Sequence, residues 1–293
     1  MKIETLVNLI GGELLNSPYI SEVVHFTDDV EDVNRGSCFF VKKISDIPQA
    51  IKNGAYAIIA DKDISILDKE IAWIKVENVK KALFNIFKYE NITNQIYFTD
   101  EITLSIIKKM NLEKKVIVLK NDEDFFKAIN LREKYILTDN KKFKEIFANI
   151  VDLKSKNIKL IQKGLFRCEF NQEEIKIPFV YKNFFAKALN FFDTYDLKYT
   201  LDFEIERFKP VFINALFEEV EFGKSEKVVI TGIKNDKFFF DELNYIIENT
   251  KYAKTVFINN SNKTLLNKPF NFAVMVDCEF TPKIREEKRF FND

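Results

Sequence analysis

An α/β fold in two domains is what this sequence predicts, and three observations predict it. Short apolar runs rich in β-branched and aromatic residues alternate with segments of helical periodicity. Glycines stand where the first of those helices must stop. The chain, at 293 residues, is long enough for two hydrophobic cores. The expected division is a small N-terminal α/β domain over residues 1–90 and a second domain, built on a parallel sheet, over residues 91–293.

In the first domain, Ile3, Leu6, Val7 and Ile10 fall at helical spacing and Gly11-Gly12 ends the helix. Strands are expected at 23–26 and 38–41, then a short helix at 48–53 closed by Gly54. Strands at 55–60 and 73–76 follow, and a helix at 79–87. The second domain repeats the rhythm: strand 96–99, helix 101–110, strand 116–119, helix 122–129, strand 135–138 and helix 142–150. A hairpin is expected from 165–170 and 174–177, with Asn171-Gln172 at its turn. Helices at 184–192 and 201–207, strand 228–231, helix 239–248 and strands near 255–258 and 273–276 complete it. The tail from Lys283 is charged and expected to fray.

Composition excludes several function classes. The 45 basic and 45 acidic residues balance to zero, without the basic surplus of a nucleic-acid binder. No run approaches the ~20 apolar residues of a membrane span, and no apolar stretch follows the N-terminus as in a signal peptide, so a cytoplasmic protein is expected. The three cysteines, Cys38, Cys168 and Cys278, offer neither a disulfide framework nor metal spacing. Cys38, in the run Cys38-Phe39-Phe40-Val41, reads as a buried free thiol. The 31 Phe accompany many Ile, Lys and Asn, as an AT-rich coding genome produces, so runs such as Phe238-Phe239-Phe240 read as core. The lone His25 reads as a surface or sheet-edge residue. One histidine supports no Ser-His-Asp or Cys-His set, and no metal cluster is expected.

Residues 29–40, Asp29-Val30-Glu31-Asp32-Val33-Asn34-Arg35-Gly36-Ser37-Cys38-Phe39-Phe40, are followed by Ala50-Ile51-Lys52-Asn53-Gly54-Ala55. Together they resemble the N-terminal, UDP-binding domain of the Mur ligases, whose Asp-Ser-Arg, Pro-Gly, aromatic strand and Ala-x-x-x-Gly-Ala recur in that order. Further on, Ile177-Pro178 with Asn183-Phe184-Phe185-Ala186-Lys187-Ala188-Leu189 resembles the family's Pro, loop and Asn-Ala-x-Ala helix. Phe208-Lys209-Pro210-Val211 resembles its Phe-x-Pro-Val. The branch that adds D-Ala-D-Ala is the most similar. The resemblance implies a Mur-ligase-type first domain followed by a degenerate P-loop-like central domain, with the C-terminal domain truncated or absent.

The residues of the ligase chemistry are replaced. A phosphate loop needs glycines, a Lys and a Ser/Thr after the first strand of the central domain. That stretch reads Ile96-Tyr97-Phe98-Thr99-Asp100-Glu101-Ile102-Thr103-Leu104, with two carboxylates where phosphates would sit. Asn214 stands at the position of the family's Arg, and only the frame of the Tyr-Asn-Ala-Asn-Pro loop survives at 230–237. Val229-Ile230-Thr231-Gly232 reads as a strand end. Neither catalytic residues nor a cofactor are therefore expected.

A non-catalytic binding, scaffold or regulatory module of peptidoglycan-precursor synthesis is the expected function. UDP-MurNAc-peptide is the implied ligand, and peptidoglycan-synthesis or cell-shape proteins are the implied partners. In the first domain, the family's Ser-Arg falls on Val30 and Glu31, which disfavours a diphosphate. For a retained nucleotide-sugar site the nearest residues are Thr27, Asp28, Asp29 and Lys42. Two alternatives remain: an enzyme acting on UDP-MurNAc-peptide-type substrates without ATP, and a structural interaction module presenting exposed Phe and Tyr.

Overall fold

The apolar runs of the N-terminal region pair side by side as parallel strands. In the computed structural model, which describes residues 1–283, the chain forms two units. The first comprises residues 1–100 and 114–153, and the second residues 101–113 and the chain from 154 onward. Residues 91–100 and 114–153, which fall in the second of the two expected domains, belong to the first of these units.

The first unit opens with α1 (Ile3–Ile10) and β1 (Glu13–Leu14), then β2 (His25–Thr27) and β3 (Ser37–Phe40). Next come α2 (Ile47–Asn53), β4 (Ala55–Ala60), β5 (Ala72–Lys75) and α3 (Val79–Asn91). The strand order is β1-β5-β4-β3-β2, parallel except for β1 against β5. Alternate residues feed two cores. Cys38, Phe40, Ile59 and Ile74 lie in one with α1 and α3, while Phe39, Val41, Ile58 and Trp73 lie in the other with α2. Burial on both faces is why these strands read as continuous apolar runs. Gly54 ends α2 at φ 105°, and a Cβ there would come within 3.0 Å of the Arg35 Cα, so a side chain is excluded twice over.

A second parallel sheet belongs to the same unit. Its first strand is β6 (Ile96–Phe98), which leads into α4 (Glu101–Met110), a helix of the other unit. Then come β7 (Val116–Val118), α5 (Asp122–Asn130), β8 (Tyr135–Thr138), α6 (Phe143–Ile146) and β9 (Ile150–Asp152), in the order β7-β8-β6-β9. The helix expected over 142–150 is a single turn. Pairing of Ile150–Asp152 with β6 claims the remainder as an edge strand, while Phe143 and Phe147, one turn apart, still stack at 5.4 Å. Phe87 meets both, and Phe125, edge to face.

The second unit carries β10 (Ile161–Gln162), β11 (Cys168–Phe170), β12 (Glu173–Ile175), α7 (Lys182–Thr194), β13 (Lys209–Ile213), β14 (Lys227–Ile233), α8 (Phe239–Asn249), β15 (Thr255–Ile258) and β16 (Phe272–Val276). The expected hairpin is β11–β12, and Asn171 and Gln172 both take the positive φ that a two-residue type I′ turn requires. The order β13-β14-β16-β15 is parallel except for β13. Residues 201–207 are extended rather than helical: Phe203, Ile205 and Arg207 are buried and the intervening acids exposed, a period of two. Only Phe238 of the Phe238–Phe240 run is core. The helix that starts there turns Phe240 outward, 70% exposed. Lys283 donates its backbone N–H to the Phe217 carbonyl. Residues 284–293, where a frayed tail is expected, lie outside the described residues.

The α/β class and the parallel sheets agree with the sequence reading. No helix of the described residues is long and apolar enough to cross a membrane.

Cys38 and Cys168 are fully buried free thiols. Burial pushes the Cys38 thiol well above its ordinary value and Cys168 up to about 12. Neither group should react with a disulfide reagent at pH 8 until the protein unfolds, because the reactive thiolate is absent. Timed thiol counting with and without denaturant checks this.

Candidate functional site

Parallel strands deliver their carboxyl ends to one edge of a sheet, where the connecting loops can build a site. In the first unit that edge carries a crevice of about 270 Å³. Asp28 follows β2, Val41 and Lys42 follow β3, and Asp61 and Lys62 follow β4. Val79, Lys80 and Leu83 come from the first turns of α3, and Asp122 and Phe126 from α5. Phe40 and Phe126, edge to face at 5.2 Å, form its apolar floor. Three lysines face three aspartates, so the crevice is neutral as a whole.

Two of the four residues expected at a nucleotide-sugar site line it. Lys42 Nζ lies 2.7 Å from Asp28 Oδ2, with Asp28 nearly buried and Lys42 largely exposed. The hydrogen bond to Asp28 raises the Lys42 pKa against the opposing effect of burial. Lys80 stands 3.5 Å from Asp122, whereas Lys62 has no ion-pair partner among the described residues. Thr27 and Asp29 do not line the crevice. The buried Thr27 hydroxyl accepts the Asp29 N–H at 3.1 Å, and Asp29 Oδ1 accepts the Glu31 N–H. Both residues therefore shape the loop that presents Asp28. Glu31, expected to oppose a diphosphate, is exposed and outside the crevice.

His25 sits in the edge strand β2 with Nε2 3.0 Å from Asp32. Among the described residues no cluster of His, Cys, Asp and Glu could hold a metal ion.

The stretch expected to hold a phosphate loop runs from β6 through Thr99 and Asp100 into α4. Glu101 occupies the first turn of α4, and within the second unit it receives Lys234 Nζ at 2.7 Å. The strand-end segment with Gly232, read as structural, supplies the lysine of that pair.

The main polar feature of the second unit is a buried ion cluster that sequence reasoning missed. Arg207 donates Nε and one terminal nitrogen to the two oxygens of Glu242, at 2.6 and 2.8 Å. It also donates to both oxygens of Asp236, at 2.6 and 2.8 Å. The Tyr181 hydroxyl hydrogen-bonds Glu242 as well. Glu242 is 1% exposed and Arg207 9%. Burial works against the arginine's charge, yet the two carboxylates outweigh it and leave its pKa above the ordinary value. Burial, then the charge of Glu242, pushes Tyr181 well above its own. Burial likewise tends to raise Asp236, but Arg207 holds it below the usual carboxylate range.

Gly232 makes this cluster buildable. At φ 77°, a Cβ there would meet the Glu206 carbonyl at 2.0 Å, so only glycine lets the Arg207 backbone cross β14. Phe208 then adopts φ 58°, a left-handed conformation that costs a bulky residue roughly 1–3 kcal/mol.

Removing one partner of a buried pair strands the other charge. Arg207→Met should lower stability by about 3–5 kcal/mol, and Arg207→Lys by more than a surface change does, because lysine cannot make both forks. The double change with Glu242→Met should be closer to wild type than Arg207→Met alone. Asp236, with its depressed pKa, contributes stability above its unfolded value, lost as pH falls through the folded one. Urea unfolding as a function of pH measures all four.

No protein-family model and no curated protein matches this chain. Among solved structures it is similar to MurF from Acinetobacter baumannii at 11% identity and a TM-score of 0.49, covering 94% of this chain and 85% of that one. A second crystal structure of that protein gives 11% identity and 0.45, over 94% of this chain and 84% of the other. It is also similar to the MurF ligase from Thermotoga maritima in complex with ADP, at 14% identity and 0.37, over 80% of this chain and 77% of the other.

Proposed function

We propose that this protein is a non-catalytic binding module of Mur-ligase type. Its first domain takes a UDP-N-acetylmuramoyl-peptide-class ligand at Asp28 and Lys42, and it acts as a scaffold or regulator in peptidoglycan-precursor synthesis. The observation that carries the reading is the start of α4. A nucleotide triphosphate needs unengaged N–H groups, a lysine and no competing anion there. Glu101 stands in that first turn instead, paired with Lys234, and the stretch from Ile96 to Leu104 has no glycine and no lysine.

Support for a retained ligand comes from the first unit. Lys42, Lys62 and Lys80 stand beside a floor of Phe40, Leu83 and Phe126. The Lys80–Asp122 pair is exposed on both sides, open to exchange and worth at most about 1 kcal/mol, while Asp28, 10% exposed, holds Lys42 at the crevice. A diphosphate arriving at this edge would take Lys80 from Asp122, engage Lys62 directly and share the exposed Lys42 ammonium with Asp28. A uracil or sugar ring would cover the apolar floor.

Thermal-shift and calorimetric titration with UDP-MurNAc-tripeptide, the pentapeptide, UDP and Mg-ATP tests this. The UDP-sugars should stabilise the fold by about 2.7 kcal/mol at 100 Kd, with no response to Mg-ATP. Lys42→Ala should weaken binding by about 1.5–3 kcal/mol, the worth of a charge-assisted hydrogen bond. Stabilisation by Mg-ATP, or ATP-dependent ligation of an amino acid or dipeptide to a UDP-MurNAc peptide, would overturn the proposal.

A further inference from the structure

The second unit contains another crevice, of about 160 Å³, at the open end of the β11–β12 hairpin beside β13. A crevice of that volume has room for the body of a small organic molecule. The hairpin register pairs Cys168 with Ile175, which sets Arg167 opposite Lys176 at the next position outward. Like charges directly opposite each other in an antiparallel pair are unfavourable. Here both line the crevice, joined by Lys209 and by Arg207, whose charge Glu242 and Asp236 already satisfy. Glu204 and Glu219 are the carboxylates of the lining, leaving the cations in excess.

A second, independent observation concerns Arg167 itself. Its Nε–H is buried and has no acceptor among the described residues. A buried donor left unpaired is unfavourable. The guanidinium lies 3.5 Å over the Phe222 ring, which holds its plane. The ion pairs that now occupy these cations are open to exchange. Arg167 meets Glu174, Lys176 meets Asp202 at 3.2 Å and Glu204 at 3.8 Å, and Lys209 meets Glu206 at 3.3 Å, and in each the acid is at least half exposed. Phe208 and Phe212 complete an apolar wall.

We propose that this crevice is a second ligand site, binding a small organic phosphate monoester. Its oxygens engage Arg167, Lys176 and Lys209, and its apolar or aromatic body lies against Phe212 and Phe222. Phosphate fits better than carboxylate because three cationic groups converge on it. A dianion with three terminal oxygens can accept from all of them, whereas a carboxylate is used up by one planar fork. The site is independent of the first unit's crevice and of the reading placed on it.

Calorimetric titration of the whole protein with phenyl phosphate, inorganic phosphate and phenylacetate tests the proposal. Phenyl phosphate should bind, with the other two weaker by about tenfold or more, since each lacks either the ring or the second charge. Arg167→Met and Lys176→Gln should each weaken phenyl phosphate by about tenfold, the loss of one charge-assisted bond. Lys176 is 43% exposed on its side chain, so its substitution leaves the fold intact. Lys88→Gln, an exposed charge change in the first unit, should leave the affinity unaltered. Absence of phenyl phosphate binding, full affinity in both variants, or equal binding of phenylacetate would overturn it.

Discussion

Parallel pairing of β2, β3, β4 and β5 is the constraint on which the candidate site depends. Because the four strands run the same way, each must exit at the same edge and return through a crossover. Both faces of the sheet are covered, so charge is excluded from the strand interiors and apolar side chains fill alternate cores. The first positions free to be polar are the ones just beyond the strand ends. Asp28, Lys42, Asp61 and Lys62 occupy them, and the crevice is the consequence.

The second unit solves a different problem. Its four-stranded sheet also carries apolar residues along β14 and β16, yet an arginine and a glutamate are buried beside it. Neither charge is tolerable alone in that setting. Two bidentate pairings make them so, and Tyr181 completes the coordination of Glu242. Such a cluster rewards one arrangement of the chain. It is satisfied only when the extended segment ending at Arg207, the loop at Asp236 and the helix α8 are all in place. Gly232 and the left-handed Phe208 are the backbone conditions for that arrangement.

Much of this was legible before the fold was known, and the exceptions have physical reasons. The N-terminal sheet announced itself through doubly buried strands and a helix stop at Gly54. Asp28 and Lys42 are named by the resemblance to the Mur-ligase N-terminal domain, and both line the crevice. Lys62, Lys80 and Asp122 line it unannounced, since crossovers bring them to the edge from distant parts of the chain and nothing local marks them. The segment 201–207 contains a strict alternation of Phe203, Ile205 and Arg207 with acids. It was misread as a helix because an arginine on the inner side looks polar until its partners are known. Glu242 was equally hidden: at the start of a helix beside Asp241, it has the look of an ordinary first-turn carboxylate. The edge strand at Ile150–Asp152 depended on pairing with β6, a long-range choice that local periodicity does not record.

Amide hydrogen exchange, with and without UDP-MurNAc-tripeptide and separately with Mg-ATP, tests most directly where a ligand is held. The account predicts slowed exchange at residues 28–29, 41–42, 61–62 and the first turn of α3 with the UDP-sugar, and no change at the start of α4 with Mg-ATP. Unaltered exchange at those loops, or protection at the start of α4 by Mg-ATP, would contradict it.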